Sequence, residues 1–258
     1  MNFEASYPTS QHHRAAEALV EFFRQRDATE AVLLVNSCAR GCATPDSCLD
    51  IAVLVRPEVL TREQEDLERT WQDFYASDPV FEQLKQVGRF AVVHFDYIDG
   101  IYDAPTWDDG GGPDGFELGI GNQLVYGVPL WQGSDYLTQL KEKWLPYYDE
   151  DLRRQRLAMV RHACLEDLEH ILWFCGRALY FAAFDRLYKA LQEYLQALFI
   201  AHRTYPLAYN KWIRQQVEGI LGQPELYKQL PPLLEFSQLE SLEMLEKAQL
   251  LKSLVSQL

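Results

Sequence analysis

An α+β fold is predicted for this chain of 258 residues, with strands and helices mixed in the first half and helices alone in the second. Three observations predict it. Short, wholly apolar or nearly apolar runs at Ala31–Val35 and Leu49–Val55 have the composition of buried strands, and Phe90–Tyr97 is a third strand candidate. The segments around them show apolar residues at 3- and 4-residue spacing, the period of a helix. From Ser134 onward that spacing is the only pattern, interrupted at Pro146, Gly176, Tyr205-Pro206, Gly222 with Pro224, and Pro231-Pro232. Such segregation suggests two domains, or one α+β body with a helical appendix. The expected domains are residues 1–133 and 134–258.

Taken in order, Ala15–Arg26 (AAEALVEFFRQR) reads as a helix with Thr9 or Ser10 as its N-cap. Ala31–Val35 is the first strand, the polar, turn-rich stretch Asn36–Cys48 follows, and Leu49–Val55 is the second strand, ending before Pro57. A capping-box pattern places a helix over Thr61–Tyr75. Pro79–Val87 is a further helical piece, and Phe90–Tyr97 (FAVVHFDY) is the third strand. Asp99–Gly115 contains Asp-Asp-Gly-Gly-Gly-Pro-Asp-Gly and reads as an exposed surface loop. Phe116–Trp131 holds one more strand or short helix near Leu124–Leu130. The helices of the second half are expected at Ser134–Trp144, Asp149–Phe174, Arg177–Arg203, Asn210–Leu221 and Gln238–Leu254. The last of these either caps its own core or pairs with a second chain.

Composition narrows the function. Apolar residues make up 48% and charged residues 24%, which suits a globular protein with a real core. The 38 acidic against 24 basic side chains give a net charge of −14, which repels phosphate backbones and argues against nucleic acid as a partner. A nucleotide carrying its own divalent cation remains compatible. No stretch reaches the roughly 18 to 20 uninterrupted apolar residues of a membrane span, and Met1–His13 lacks the basic-then-apolar layout of a secretory leader. The expected location is therefore the cytoplasm, with the five cysteines as thiols.

The segment with chemistry in it is Ala31–Val55, AVLLVNSCARGCATPDSCLDIAVLV. It is a strand, a small-residue turn, a short polar connection and a second strand. This resembles the signature of the nucleotidyltransferase superfamily, which includes the aminoglycoside-modifying and minimal nucleotidyltransferases. There a strand ends in Gly-Ser, often followed by Ala-Arg-Gly, and Asp-apolar-Asp leads into the next strand. Ser37 matches the Ser, Ala39-Arg40-Gly41 the triplet, Pro45-Asp46-Ser47 the lead-in and Asp50 the second Asp. The resemblance implies a nucleotidyltransferase-like mixed sheet flanked by helices, followed by an all-helical bundle. It also implies transfer of a nucleoside monophosphate from an NTP to a hydroxyl of a small molecule or protein. Carboxylates at i and i+2 of a strand point to one side, and with a third from a neighbouring strand they hold Mg²⁺ or Mn²⁺. On this pattern Asp50 and Asp96 bind the metal, with Asp99 and Asp103 as weaker alternatives for the second acid, and Ser37 and Arg40 meet the phosphates. No residue distinguishes itself as a general base.

Two departures stand out. Asn36 replaces the Gly of the pattern, and Asn tolerates unusual backbone angles. Cys48 replaces the first Asp, and a thiol is a poor partner for Mg²⁺. This leaves a second reading, a catalytically impaired homologue that binds a nucleotide or a partner protein. Asp46, two residues before Cys48, is read as capping the Pro45–Ser47 turn. Cys38, Cys42 and Cys48 have the spacing C-x3-C-x5-C, and a tetrahedral zinc site would need a fourth ligand, for which His94 is the nearby donor. Small residues filling a tight turn and core are the better reading.

In the helical half, Tyr205-Pro206 followed by Asn210-Lys211-Trp212 resembles the helical domain attached to some of these nucleotidyltransferases. By that resemblance Lys211 reaches the triphosphate, and Arg177 or Asp185 faces the cleft. Arg156 and His162 form an R-x5-H pair, a spacing found in a helical ribonuclease family, but the net charge argues against that role. By charge complementarity, the acidic chain suits a cationic acceptor such as an aminoglycoside.

Overall fold

The computed structural model describes residues 4–258; the first three residues of the stretch read for a leader lie outside them. The first half runs α1 (Ser10–Phe23), β1 (Thr29–Leu34), the one-turn α2 (Asn36–Ala39), β2 (Leu49–Val55), α3 (Pro57–Ser77), α4 (Pro79–Lys85) and β3 (Val93–Ile98). Then come α5 (Phe116–Ile120), a π-helical turn (Gly121–Val125), β4 (Val128–Gln132) and α6 (Tyr136–Trp144). The rest is α7 (Glu150–Cys175), α8 (Tyr180–Ala201), a π-helical stretch (Gln215–Ile220), α9 (Pro224–Tyr227), a 3-10 turn (Pro231–Leu234) and α10 (Glu243–Val255). The sheet is mixed, in the order β3-β2-β1-β4, with β1 antiparallel to both neighbours and β2 parallel to β3. The fold class is α+β: a mixed sheet with flanking helices, plus a helical region. No helix among the described residues is long and apolar enough to cross a membrane.

Local chemistry explains where elements begin. Thr9 caps α1 by accepting from the His12 N–H. Helix α3 starts at Pro57, four residues before the expected Thr61, because Pro at the first turn needs no N–H partner. Thr61 then lies inside the helix and donates its hydroxyl to the Pro57 carbonyl, 2.9 Å away. Helix α8 starts at Tyr180 and not at Arg177, since Ala178 takes a left-handed φ of 57°. Trp212, at φ 59°, likewise shortens the helix expected over Asn210–Leu221 to Gln215–Ile220.

The chain divides into two compact units that interleave in sequence. The first runs to Tyr102 and resumes over Ile120–Leu145; the second is Asp103–Gly119 with Pro146–Leu258. Relative to a cut at residue 133, helix α6 joins the sheet unit and the loop after residue 102 joins the helices. In the first unit Ala15, Ala16, Leu19 and Phe23 of α1 and Phe81 and Leu84 of α4 pack on Val32, Leu34, Ile51 and Val53 of the sheet. In the second, α7, α8 and α10 share a core that includes Ile171, Leu187, Tyr194, Leu198 and Leu251.

The stretch expected to be an exposed loop is tied down within the second unit. Asp109 pairs with Arg186 at 2.8 Å, Asp114 with Arg156 at 2.8 Å, and Trp107 meets His162 edge to face. Gly110 is needed for this. Its φ is +68°, and a Cβ there would fall 2.5 Å from the Arg186 Cζ.

Candidate functional site

Strand register decides which side chains meet. Asp50 pairs with His94, and Ala52 with Asp96. Alternation puts Leu49, Ile51 and Val53 with Val93, Phe95 and Tyr97 on the face covered by α1 and α4. Asp50 and Ala52 then share the opposite face with His94 and Asp96. Asp50 is buried although it is charged, at 7% exposure, while His94 on the edge strand is open to solvent.

The approach to β2 is fixed from several sides. The Val35 N–H donates to the Asp50 carbonyl at 3.0 Å. Fully buried His12 of α1 holds the Ser47 carbonyl through Nε2 at 2.9 Å and Thr9 Oγ1 through Nδ1 at 2.8 Å. The 44–47 turn is closed by Ser47, which accepts the Thr44 N–H at 2.9 Å; Asp46 stands exposed in it. Asn36 has φ 57°, the left-handed region in which glycine is most at ease. The Cys38 thiol lies 3.7 Å from the Cys48 carbonyl, and burial, then Asp50 and Cys48, push its pKa up to about 12. Cys42 donates to the Arg40 carbonyl at 3.5 Å. Cys38 and Cys42 thus fill the turn, as their small size predicts.

Cys48 behaves differently. Its Sγ lies 3.3 Å from Asp50 Oδ2 and 3.4 Å from Oδ1, and His94 Nδ1 lies 3.5 Å from the same Oδ1. One donor atom from each of Cys48, Asp50 and His94 falls within 4.8 Å of the others. Among the described residues this is the one such group, and Asp96, one pleat further along β3, is outside it. Arg40 is half-buried beside this face. Its Nη1 donates to Asn122 Oδ1 at 3.3 Å, and its buried Nε has no hydrogen-bond partner among the described residues. Burial lowers the Arg40 pKa, against Cys42, Asp50 and Tyr126, which raise it. Ser37 sits half-buried in α2. Lys211 is an exposed residue of the second unit.

The donor set tests the expected metal. Mg²⁺ demands near-octahedral oxygen ligands, and the group here offers one carboxylate, one thiol and one imidazole. These residues do not fit Mg²⁺.

No family model matches the chain, and no curated protein matches it. Among solved structures it is similar to a nucleotidyltransferase-like protein from Exiguobacterium sibiricum 255-15, at 14% identity, over 95% of this chain and 74% of that one, with a TM-score of 0.49.

The second unit holds a polar centre that the sequence did not announce. Glu117, fully buried, accepts from Tyr148 Oη at 2.8 Å, Arg156 Nε at 3.0 Å, Arg156 Nη2 at 2.8 Å and Gln196 Nε2 at 2.8 Å. Burial works against the Arg156 charge, but the hydrogen bonds to Glu117 and Asp114 outweigh it and hold its pKa above the usual value. The two members of the R-x5-H pair have different surroundings. Arg156 is 2% exposed and committed to Glu117, whereas His162 is on the surface. Asp185 pairs with Lys189 at 2.8 Å, and Arg177 lies over the Trp173 ring. The i, i+4 spacing of Asp185 and Lys189 is the local signal that could have revealed that pair; nothing local marks Glu117 as buried.

Proposed function

We propose that this protein binds a nucleoside triphosphate beside the turn between β1 and β2, in the manner of the nucleotidyltransferases that its Ser37–Asp50 segment resembles. Its reaction would be transfer of the nucleoside monophosphate to a hydroxyl of a small molecule or protein. The observation that carries this reading is Arg40. It is a partly desolvated guanidinium with a buried N–H left over, in the field of the nearly buried Asp50. Such a group gains strongly from a phosphate oxygen, since charge-assisted hydrogen bonds strengthen as water is removed. Ser37 and the backbone of its turn are assigned to the phosphates, and Asp50 with Asp96 to the metal-bearing face. Lys211 is retained as an assisting cation on resemblance alone. The place and the acceptor, cytoplasm and a cationic hydroxyl compound, follow the same reading.

Cys48 favours a second reading, nucleotide or partner binding without transfer, because it removes a carboxylate from the face that would hold the metal. Calorimetric titration with each NTP, with Mg²⁺, Mn²⁺ and Zn²⁺ added in turn, tests the first part. Binding that needs a divalent cation and is lost in Asp50→Asn is the expected outcome. Absence of binding to every NTP overturns the nucleotide reading. Pyrophosphate release in the presence of an acceptor then separates transfer from binding alone.

A further inference from the structure

We infer that Cys48, Asp50 and His94 form a three-ligand site for a borderline transition metal, with Zn²⁺ the best fit, in place of a magnesium site. Several observations carry this. The three donors already converge: each donor atom lies within 4.8 Å of the others. Their chemistry is mixed: thiolate and imidazole select zinc-like ions, and a carboxylate is accepted by them. Three protein ligands with a fourth position open is the arrangement of a catalytic zinc, and His94, with a side chain 63% exposed, leaves that position facing solvent. The ligands are also supported from behind. Cys48 follows Ser47, whose carbonyl is held by buried His12, and its own carbonyl receives the Cys38 thiol. Such outer partners fix the aim of the ligands.

The Cys48 thiol donates to the Asp50 carboxylate. A bound cation would take the place of that proton, so thiolate, carboxylate and imidazole each present an electron pair to it. Nearly buried Asp50 then has its charge compensated by an ion in place of weak thiol contacts. The metal site stands on these three side chains alone; its bearing on nucleotide chemistry rests on the reading proposed above.

The test uses the full-length protein, stripped with a chelator and kept reduced, with Co²⁺ as a spectroscopic probe and Zn²⁺ as competitor. One equivalent of Co²⁺ should give visible bands of tetrahedral intensity and a sulfur-to-cobalt charge-transfer band in the near ultraviolet. Zn²⁺ should displace it, and excess Mg²⁺ should not. Cys48→Ser should abolish the charge-transfer band. His94→Ala should weaken binding by at least about tenfold, the cost seen even for outer-shell changes at metal sites. Cys42→Ser should leave the spectrum unchanged, and circular dichroism of every variant reports whether it has folded. Failure to bind one equivalent overturns the inference, as does binding that survives both Cys48→Ser and His94→Ala. No nucleotide is present, so the two readings fail separately. Metal binding without NTP binding sinks only the nucleotide reading, and NTP binding by a protein that takes up no Co²⁺ or Zn²⁺ sinks only this one.

Discussion

Asp50 and Glu117 are both carboxylates with almost no exposed surface, and their surroundings treat them in opposite ways. Glu117 receives four hydrogen bonds from Tyr148, Arg156 and Gln196, at 2.8 to 3.0 Å, and a full opposite charge. Asp50 has a thiol at 3.3 Å and an imidazole at 3.5 Å, the latter largely in water. A carboxylate with all its lone pairs filled by strong donors holds helices and loop together and has nothing left to offer a ligand. A nearly buried carboxylate met by a weak donor retains that capacity. Burial alone therefore does not separate structural acids from functional ones; the strength and openness of the partners do.

The largest test of this contrast is Arg156→Met. It strands Glu117 without its cation and should lower stability by about 3 to 5 kcal/mol, read by chemical denaturation. Asp50→Asn should cost far less. Equal losses would make Asp50 a structural acid and end the comparison.

Glu193 offers a third kind of buried carboxylate. Both its oxygens lack hydrogen-bond partners among the described residues, and burial, followed by the charge of Asp167, raises its pKa to about 8. The folded value lies above the unfolded one. Its contribution to stability is therefore full below the ordinary glutamate value and is lost as pH rises through about 8. Glu193→Gln should match the native protein below about pH 4.5 and exceed it at about pH 9 by on the order of 5 kcal/mol. Thermal melts across that range check both ends, and a constant difference at all pH values would show that Glu193 does not titrate.

The smallest expected effect is on specificity. Cys48→Asp gives an all-oxygen pair with Asp50 and should shift the metal preference toward Mg²⁺ by about tenfold while weakening Zn²⁺. Unchanged metal preference would mean that the face is not tuned by its donors.

Much of this was legible in sequence. Leu49–Val55 is a strand over the expected residues, and of the two expected caps, Thr9 and Ser10, the structure uses Thr9, because burial runs and caps are local properties. The cysteine spacing drew attention to Cys38 and Cys42, which turned out to satisfy backbone carbonyls. His94 was visible as a donor to a cysteine site that included Cys48, but its place beside Asp50 was not, since nothing in spacing says that β2 and β3 run parallel with Asp50 beside His94.

By itself the sequence determined the order of strands and helices, the nearly all-apolar character of β2 with its one acid, and the placing of a thiol two residues before that acid. These follow from side-chain chemistry read within a turn or a strand. Only the tertiary structure decided that Asp96 stands one pleat beyond the group, that His94 closes it, and that Arg156 pairs with both Asp114 of the glycine-rich loop and buried Glu117. Those outcomes depend on pairing register and on contacts between residues tens of positions apart, and a one-residue shift in the pairing of β3 with β2 would have turned His94 and Asp96 to the other face.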